Sequence, residues 1–426
     1  MRKTMLAAAA ALSLLACAAE AAEPRAVVDK VAEQIAANFY DPARGAQIAA
    51  ELKAEARKGV YDRHREPLAL AEALTARLKP LDGHFEVQWQ APQAGGPGAG
   101  GASARPRLND PDADRRANYG FRAAEVLPGN IGLIDLRYFA GIGGEDDPAR
   151  ARADAAMALI AGADAVIVDL RDNGGGSPAM VGYLASYFVP KGAEIYNTFK
   201  SRGPDAYERP PFEVRGARRP DTPLFVLTSA RTGSAAESFA YTLKAAKRAV
   251  IVGEASGGAA NPGGFVPAGD GFRVFVAQGR PVNPITQGNW EGTGVTPDVA
   301  VPAGEALNRA QALALGEIRK RASGVAAVEA EWALAALRPA AVEAAALAGY
   351  AGTYGSRSVA VEGGRLVLRT GRRPAVTLLP LEPDLFAVAG AATPMRVRFE
   401  RDAGGKVSGL LTLTPDGQAS RYGRVG

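Results

Sequence analysis

The alternation of short apolar runs with helical segments between residues 121 and 320 constrains the fold most strongly. The runs "NIGLIDLRYF", "ADAVIVDLR", "PLFVLTS" and "AVIVGE" have the composition of strands, and segments with apolar residues at helical spacing separate them. Strands joined through helices of this length form βαβ units, whose neighbouring strands are parallel. We therefore predict an α/β domain with a parallel-sheet core over residues 121–320.

The segments on either side of this domain have different patterns. Residues 22–90 carry apolar residues at helical spacing and predict an N-terminal helical cap, whereas residues 91–120 are rich in Gly, Pro and Asp and predict a linker or lid. A helical connector is expected over residues 321–347. Residues 348–426 alternate apolar and polar positions between "EGG", "AGG" and "PDG" turns, which predicts an antiparallel, barrel-like β domain.

The first residues have the composition of a secretory signal peptide. A basic start, "MRK", precedes an apolar stretch of Ala and Leu and then small residues. We favour a signal peptide over residues 1–21, and the alternative is a lipoprotein signal in which Cys17 becomes the lipidated first residue. We therefore expect an exported protein, periplasmic or secreted, with a lipid anchor at Cys17 as the open alternative.

Composition excludes several classes of site. Cys17 is the single cysteine, so disulfides, cysteine nucleophiles and thiolate zinc sites are not expected in the mature chain. The formal net charge of +5 is spread along the chain without a run of like charges, so we expect no nucleic-acid partner. No later segment approaches the roughly 20 apolar residues of a transmembrane helix. We find no dinucleotide fingerprint or metal-ligand cluster, so we predict no cofactor and no metal.

The stretch "GSAAES", residues 233–238, has two interpretations. Ser234 followed three residues later by Glu237 fits a capping box, which is a structural role. Ser234 also follows a predicted strand, lies between Gly233 and Ala235, and opens a helix whose amides and positive dipole end favour a developing oxyanion. Ser234 is therefore a candidate nucleophile.

A serine hydroxyl needs a base to act as a nucleophile, and the chain contains only two histidines. His64 lies in the charged and predicted helical segment "YDRHREP", and His84 lies in "LDGHFEVQW" before a strand-like run. Lys244 and Lys247 are about 15 Å and 20 Å along the helix that Ser234 opens, too far to reach its hydroxyl. For a lone histidine a structural role is the alternative.

Two further segments carry candidate site residues. In "VDLRDNGGGSP" a buried strand runs into Gly174–Gly176, whose amides can point at a substrate oxygen, although an ordinary tight turn has the same pattern. In "NWEGTGVTPDVAV" the acid Glu291 stands among Gly, Trp and Thr. Taken alone, that segment is typical of a surface loop.

These four segments, in this order, resemble the serine peptidase superfamily of C-terminal processing (tail-specific) peptidases, the tricorn protease core and the interphotoreceptor retinoid-binding protein modules. The resemblance extends from about residue 25 to 305, and its matching pieces are "LDGHF", "VDLRDNGGG", "TSARTGSAAESFAYTLK", "IVGEASGG" and "GTGVTPDV". It implies an α/β catalytic domain with a ClpP/crotonase-like parallel-sheet core and an N-terminal helical cap, which the C-terminal antiparallel β domain predicted above follows.

The resemblance assigns roles to individual residues. It implies that Ser234 is the nucleophile and that the amide of Ala235, with one from Gly175 or Gly176, forms the oxyanion hole. The processing peptidases use a lysine in a segment after the "VGE" stretch, and "ASGGAANPGG" in that place has none. The chain is therefore more similar to the tricorn and retinoid-binding-protein branch, in which a histidine at the "DGH" position, His84, is the base.

The same resemblance implies a supporting acid, and the chain departs from the processing peptidases in lacking room for the PDZ domain that they usually carry before the sheet. Glu291 matches the acidic residue before "GVxPD" that supports the histidine in the tricorn core, and Gly83 takes the place of the serine that links the two in tricorn. About 36 residues separate His84 from Phe121, fewer than a PDZ domain requires. Selection of substrates by a docked C-terminal tail is correspondingly not expected.

The sequence thus predicts an exported serine peptidase that hydrolyses peptide bonds of peptides or unfolded proteins through an acyl-enzyme on Ser234. Two alternatives remain open. One is a non-catalytic module that binds apolar ligands or peptides on the same fold. The other is an esterase or amidase that uses the same nucleophile and oxyanion hole.

Overall fold

The computed structural model describes residues 23–91, 111–340, 344–391 and 393–425. The predicted signal peptide over residues 1–21, the lipidation alternative at Cys17 and most of the predicted lid lie outside the described residues. None of the helices in the described ranges combines the length and hydropathy that crossing a bilayer requires.

The helices and strands of the described residues follow in chain order. The helices are α1 (Pro24–Asn38), α2 (Pro42–Arg57), α3 (Pro67–Leu78), α4 (Pro111–Arg116), α5 (Pro148–Leu159), α6 (Pro178–Ser186), α7 (Ala235–Ala245), α8 (Ala306–Arg321), α9 (Gly324–Ala336) and α10 (Ala344–Leu347). The strands are β1 (Glu86–Trp89), β2 (Phe121–Leu127), β3 (Ile131–Leu136), β4 (Ala165–Asp169), β5 (Thr198–Ser201), β6 (Ala206–Tyr207), β7 (Leu224–Thr228), β8 (Val250–Gly253), β9 (Gly263–Gly269), β10 (Phe272–Ala277), β11 (Gly279–Val282), β12 (Val299–Ala300), β13 (Gly352–Tyr354), β14 (Arg357–Glu362), β15 (Arg365–Thr370), β16 (Val376–Glu382), β17 (Leu385–Val388), β18 (Arg396–Arg401), β19 (Val407–Leu413) and β20 (Ala419–Val425). Proline is the first residue of each helix from α1 to α6, where its fixed φ and missing N–H suit a helix start.

The described chain divides into two compact units. The first comprises residues 23–91 together with Gly263–Gly279, and the second comprises residues 111–262 and 280–425. Residues 263–279, predicted to belong to the α/β domain, instead join the first unit, because β10 pairs with β1 and β9 pairs with β10. Strand pairing between segments so far apart in the chain leaves no local pattern in the sequence.

The first unit packs α1, α2 and α3 with an antiparallel sheet of order β1-β10-β9. The register sets Val87 of β1 opposite Val274 of β10. On α1 the residues Val27, Val31 and Ile35 recur every fourth position and are buried, which makes one continuous apolar face. The predicted N-terminal helices are thereby confirmed. His64, by contrast, lies in the loop between α2 and α3 and not in a helix.

The second unit contains a six-stranded sheet of order β12-β8-β7-β4-β3-β2. β2 and β3 are antiparallel, and the remaining neighbours are parallel. Alternate residues of the central strands face opposite layers: Val166 and Val168 pack with α5, α6 and α7, whereas Ala165 and Ile167 pack with α8 and α9. Burial of both faces explains the continuous apolar runs. The predicted α/β domain with a parallel core is confirmed.

The order of the parallel strands brings three loops to one edge of the sheet. β4, β7 and β8 are neighbours, and their carboxyl ends are followed by the glycine loop, the Ser234 turn and the segment 256–261. In α/β sheets, ligands bind in the crevice outside the carboxyl ends of the strands. This edge of the second unit is therefore the place where its candidate site residues are assembled.

The C-terminal strands β13 to β20 form a closed antiparallel barrel, in which β20 pairs with β13 through Thr353 and Val425. Its interior holds aromatic side chains in mutual contact, including Tyr350, Phe386 and Phe399. Closure removes the exposed strand edges that an open sheet would leave. The predicted antiparallel β domain is confirmed.

Candidate active site

Ser234 is held in a backbone conformation that non-glycine residues rarely adopt. It ends the turn after β7 and is the N-cap of α7, with φ of 53° and ψ of −120°. Such a conformation costs of order 1–3 kcal/mol and persists only where the surroundings impose it. The residue is exposed, so the sharp turn presents its hydroxyl to solvent at the N-terminus of a helix.

Glu237 is the main contact that holds this turn. The amide N–H of Ser234 donates to Oε2 of Glu237 at 2.8 Å, so the predicted capping box is present. The carboxylate is fully buried and accepts three more hydrogen bonds, from Ser256 Oγ (2.6 Å), the amide of Gly258 (2.6 Å) and the amide of Ala259 (2.8 Å). Sequence reasoning gave Glu237 only the capping role. The structure shows that it also joins the Ser234 turn to the segment after β8.

Asn173 fixes the glycine loop against the same turn. Its Nδ2 donates to the carbonyl of Leu136 at 3.0 Å, and its Oδ1 accepts from the amide of Gly175 at 2.9 Å. Its own carbonyl accepts from the amide of Gly233 at 3.0 Å. This buried residue is not among the site residues predicted from the sequence. An Asn directly before a run of glycines is a turn signal that could have identified it.

An ion pair joins the same two loops at their surface. Asp172 accepts hydrogen bonds from the guanidinium of Arg231, with Nε at 2.8 Å, and also pairs with Arg137. The hydrogen bond from Arg231, supported by that from Arg137, holds the pKa of Asp172 below its ordinary value. The loop after β4 is thus tied to the loop after β7 by charge as well as by backbone.

Gly175 is pressed against Ser234 and cannot carry a side chain. Its φ is +118°, and a Cβ on it would lie 2.7 Å from the Cβ of Ser234. Because its N–H already donates to Asn173, Gly175 is not available as an oxyanion donor. Of the two glycines that were predicted as alternatives for this role, only Gly176 has an amide N–H left to donate.

The backbone around Gly176 directs its amide away from its neighbour. Phe139 forms a parallel bridge with Gly176, in which the Phe139 N–H donates to Gly175 O at 2.9 Å and the Ser177 N–H donates to Phe139 O at 2.7 Å. The N–H of Gly176 therefore points away from Phe139. Within the part of the chain that the structure describes, neither this amide nor that of Ala235 donates a hydrogen bond. Both can bind a substrate oxygen.

Glu291 lies beside the segment 256–261 in the second unit. Its Oε2 accepts from the amides of Ala260 (2.9 Å) and Asn261 (3.0 Å). The neighbouring Trp290 is buried, and its Nε1 donates to Ala259 O at 3.2 Å. The segment is therefore anchored by two carboxylates, Glu237 at one end and Glu291 at the other, and Glu291 is not part of a plain surface loop.

Lys244 is directed away from Ser234, as expected from its position on the helix. Its Nζ donates to Thr296 O at 2.5 Å and pairs with Asp298 at 2.9 Å. The helix that Ser234 opens thus supplies no lysine base. Segment 256–261 contains no lysine either.

His84 lies in the first unit, in the turn between α3 and β1. Its backbone N–H donates to Oδ1 of Asp82 at 2.9 Å, and its ring Nδ1 is 3.2 Å from the same oxygen. The ring stacks on Phe275 with centroids 5.9 Å apart and planes 24° apart. Asp82 was part of the "LDGHF" piece but was given no role from sequence. The spacing of two residues between this acid and the histidine is the sequence signal that could have indicated their contact.

Comparison with known proteins supports the resemblance seen in the motifs. Residues 130–301 match the model of peptidase family S41. A carboxyl-terminal-processing peptidase from Arabidopsis thaliana chloroplasts is 34% identical over 140 residues, which are 33% of this chain and 26% of that protein. The matched range carries the glycine loop, Ser234 and Glu291, so the predicted resemblance is confirmed for this part of the chain.

Solved structures also resemble the chain in part. The photosystem II D1 C-terminal processing protease is 25% identical with a TM-score of 0.32, over 43% of this chain and 46% of that one. A lipoprotein from Streptococcus agalactiae is 15% identical with a TM-score of 0.43, over 70% and 97%. The chain spans about a quarter of the length of the curated relative it matches.

Proposed function

We propose that this chain, of which residues 130–301 match peptidase family S41, is an exported serine peptidase that hydrolyses peptide bonds through an acyl-enzyme on Ser234. The observation that carries the proposal is the strained and exposed Ser234 on a turn that also offers the unbonded amide of Ala235. A strained serine between a strand and a helix, next to amide donors, is the arrangement used for acyl transfer.

In the proposed reaction, Ser234 Oγ attacks the carbonyl carbon of the scissile peptide while Nε2 of His84 accepts the hydroxyl proton. The amides of Ala235 and Gly176 stabilise the negative oxygen of the tetrahedral intermediate. His84 then returns the proton to the leaving amine as the C–N bond breaks, which leaves the acyl-enzyme. Water, deprotonated by the same histidine, attacks the ester carbon, and the histidine returns this proton to Ser234 Oγ as the C–O bond breaks and the acid is released.

Glu291 enters the proposal through the resemblance, as a further acid whose negative charge favours the protonated form of His84. Its Oε2 already accepts two amide hydrogen bonds of segment 256–261. A Glu291→Gln variant separates the two roles, because its amide oxygen can still accept both backbone N–H groups whereas the negative charge is lost. We expect kcat to fall with little change in stability.

The alternatives make different use of the same turn. A binding module has no need of a serine held at a φ of 53°, since a strained residue is retained where its conformation serves a function. This favours catalysis over the non-catalytic alternative. An esterase or amidase would use the identical nucleophile and oxyanion donors, so matched peptide, ester and small amide substrates separate it from a peptidase.

The proposal is tested by labelling the mature protein with a fluorophosphonate probe, together with turnover of a peptide library. We expect Ser234→Ala and His84→Ala to abolish labelling and to lower kcat/KM by at least about 10³-fold. His64→Ala is the matched control, because it removes the chain's other histidine, and it should label like the wild type. Labelling that survives His84→Ala would refute the base assignment.

Export is proposed from the leader alone, and the mass of the mature protein tests it. Cleavage after residue 21 gives a mature chain that begins at Ala22, whereas lipoprotein processing gives a chain that begins at a lipidated Cys17. A Cys17→Ser variant separates the two, because it should change membrane association only if the lipid is attached. An unprocessed chain in the cytoplasm would contradict export.

A further inference from the structure

We infer that Asp82 is the positioning residue for the catalytic base, which holds His84 as the tautomer with its proton on Nδ1 and its lone pair on Nε2. The catalytic role of this contact rests on the proposed function. The contact itself involves only residues of the first unit. Asp82 and His84 are two residues apart on one turn, so no other segment is needed to bring them together.

The geometry around Asp82 fixes both the main chain and the ring of His84. One oxygen, Oδ1, accepts the backbone N–H of His84 at 2.9 Å and faces its Nδ1 at 3.2 Å. The carbonyl of Asp82 also accepts from the amide of Phe85 at 3.0 Å, which closes the turn. A side chain that caps its own turn in this way has little freedom to leave the ring.

Burial strengthens this contact. The Asp82 side chain is 5% exposed and the His84 side chain 18% exposed, so water competes weakly for either group. An ionised carboxylate only accepts hydrogen bonds, so its contact with Nδ1 favours the neutral tautomer that carries the proton on Nδ1. Phe275 stacks on the ring and limits its rotation. The lone pair that a base requires is consequently on Nε2.

The same contact serves the charged state of the reaction. When His84 accepts the Ser234 proton, the imidazolium gains a charge-assisted hydrogen bond to Asp82 on the nitrogen that does not react. The energy of this bond is greater in the transition state than in the ground state. It should therefore raise kcat and leave KM unchanged.

The first test is the tautomer of His84 in the full mature chain, read from its ring ¹⁵N chemical shifts. The chain has only two histidines, so a His64→Gln variant assigns both sets of signals. In the wild type at a pH where the ring is neutral, we expect the proton on Nδ1. A wild-type His84 that carries its proton on Nε2 overturns the inference, whatever the variants show.

Two substitutions separate the acceptor from the charge. Asp82→Ala removes the oxygen, and we expect the proton to move to Nε2 and kcat to fall by about 10³- to 10⁴-fold with KM unchanged. Asp82→Asn keeps an acceptor oxygen but loses the charge, so we expect the Nδ1–H tautomer and a loss of about 10- to 100-fold. Partial rescue by Asn over Ala is the specific signature.

Asp41→Ala is the matched control in the same unit. Asp41 also accepts a backbone N–H, that of Arg44 at 3.0 Å, at the start of α2. Its removal should lower the midpoint of denaturant unfolding without changing the tautomer or kcat. An Asp82→Ala variant that lowers kcat no more than Asp41→Ala, or that lowers it with the proton still on Nδ1, overturns the inference.

Failure of the proposed function gives a different result. If the wild type is not labelled, or if His84→Ala remains active, the peptidase mechanism is refuted. The ¹⁵N measurement still decides whether Asp82 sets the tautomer.

Discussion

Ser234 shows how much a single residue depends on its neighbours. Its positive φ is unfavourable for a serine, and the bond from its amide to the buried carboxylate of Glu237 is the contact that compensates for it. The same carboxylate accepts from Ser256, Gly258 and Ala259. The Ser234 turn and the segment after β8 therefore depend on one side chain.

Glu237→Gln should consequently impair both stability and reactivity. In Gln an NH2 group replaces one carboxylate oxygen, and this donor cannot accept the hydrogen bonds that the oxygen now accepts. We therefore expect the free energy of unfolding to fall by about 2–3 kcal/mol. The fluorophosphonate labelling rate should fall as well. Denaturant unfolding measures the first effect, and Glu305→Gln, an exposed substitution, is the control. A stable variant that labels at the wild-type rate would contradict this role.

Glu208 gives stability a dependence on pH. Complete burial raises its pKa from 4.5 to about 7, although hydrogen bonds from Ser238, Asn197 and Thr242 act to lower it. A raised pKa favours the protonated acid in the folded state, so the stabilising contribution is complete below pH 4.5 and is lost as the pH rises through about 7. It amounts to about 3 kcal/mol.

The measurement is unfolding of the wild type and Glu208→Gln across the same pH range. We expect the stability of the wild type relative to the variant to fall by about 3 kcal/mol between pH 4.5 and pH 8. Ser238 and Thr242 lie on α7, the helix that Ser234 opens, so labelling in the same samples shows whether the ionisation reaches the nucleophile. If the free energies of unfolding of the wild type and Glu208→Gln change in parallel with pH, the raised pKa of Glu208 is ruled out.

At the scale of elements, the glycine loop is the segment whose backbone restricts the choice of residue most strongly. A Cβ on Gly176 would lie 2.1 Å from Phe139 O, and its φ is +136°, whereas a Cβ on Gly174 would meet nothing within 4 Å. The three glycines look equivalent in the sequence. Only the structure shows that the first is replaceable.

Gly176→Ala and Gly174→Ala should therefore behave differently. We expect Gly176→Ala to displace the loop, to lower stability by more than about 1 kcal/mol and to abolish labelling, because the residue supplies a proposed oxyanion donor. Gly174→Ala should retain both stability and labelling. Thermal unfolding with probe labelling distinguishes them, and equal behaviour of the two variants would refute the assignment of Gly176.

Much of the element pattern could be predicted because it is local. The strand runs, the capping box at Ser234 and the alternation of the C-terminal domain are all properties of adjacent residues. The additional partners of Glu237 and the engaged amide of Gly175 were missed, because each depends on contacts between segments that are distant in the chain. The pairing of β10 with β1 was missed for the same reason.

At the scale of the whole molecule, the C-terminal barrel has a core of its own. The aromatic cluster of Tyr350, Phe386 and Phe399 is separate from the two clusters that cover the α/β sheet. The barrel contacts α9 through a cation–π pair of Arg396 with Trp332. A separate core of this kind should fold without the rest of the chain.

We expect a chain that ends at residue 338 to keep its probe labelling within about twofold of the wild type, since the site residues and their contacts all precede α9. The C-terminal piece from residue 339 should unfold cooperatively when expressed alone. Circular dichroism and labelling of the two fragments are the measurements. Loss of labelling with a folded α/β sheet would assign the barrel a part in catalysis.

The β9–β10 hairpin belongs to the first unit although it follows the Ser234 turn in the chain. The first unit can therefore be completed only after the hairpin has been synthesised. Within the described residues β1 has one strand neighbour, β10, and the stacking partner of His84 is Phe275 on that same strand. As the chain emerges from the ribosome, the N-terminal helices and the proposed base therefore lack their support until residue 277 has been made. Synthesis itself then delays the support of the His84 ring until after the whole Ser234 turn has been made.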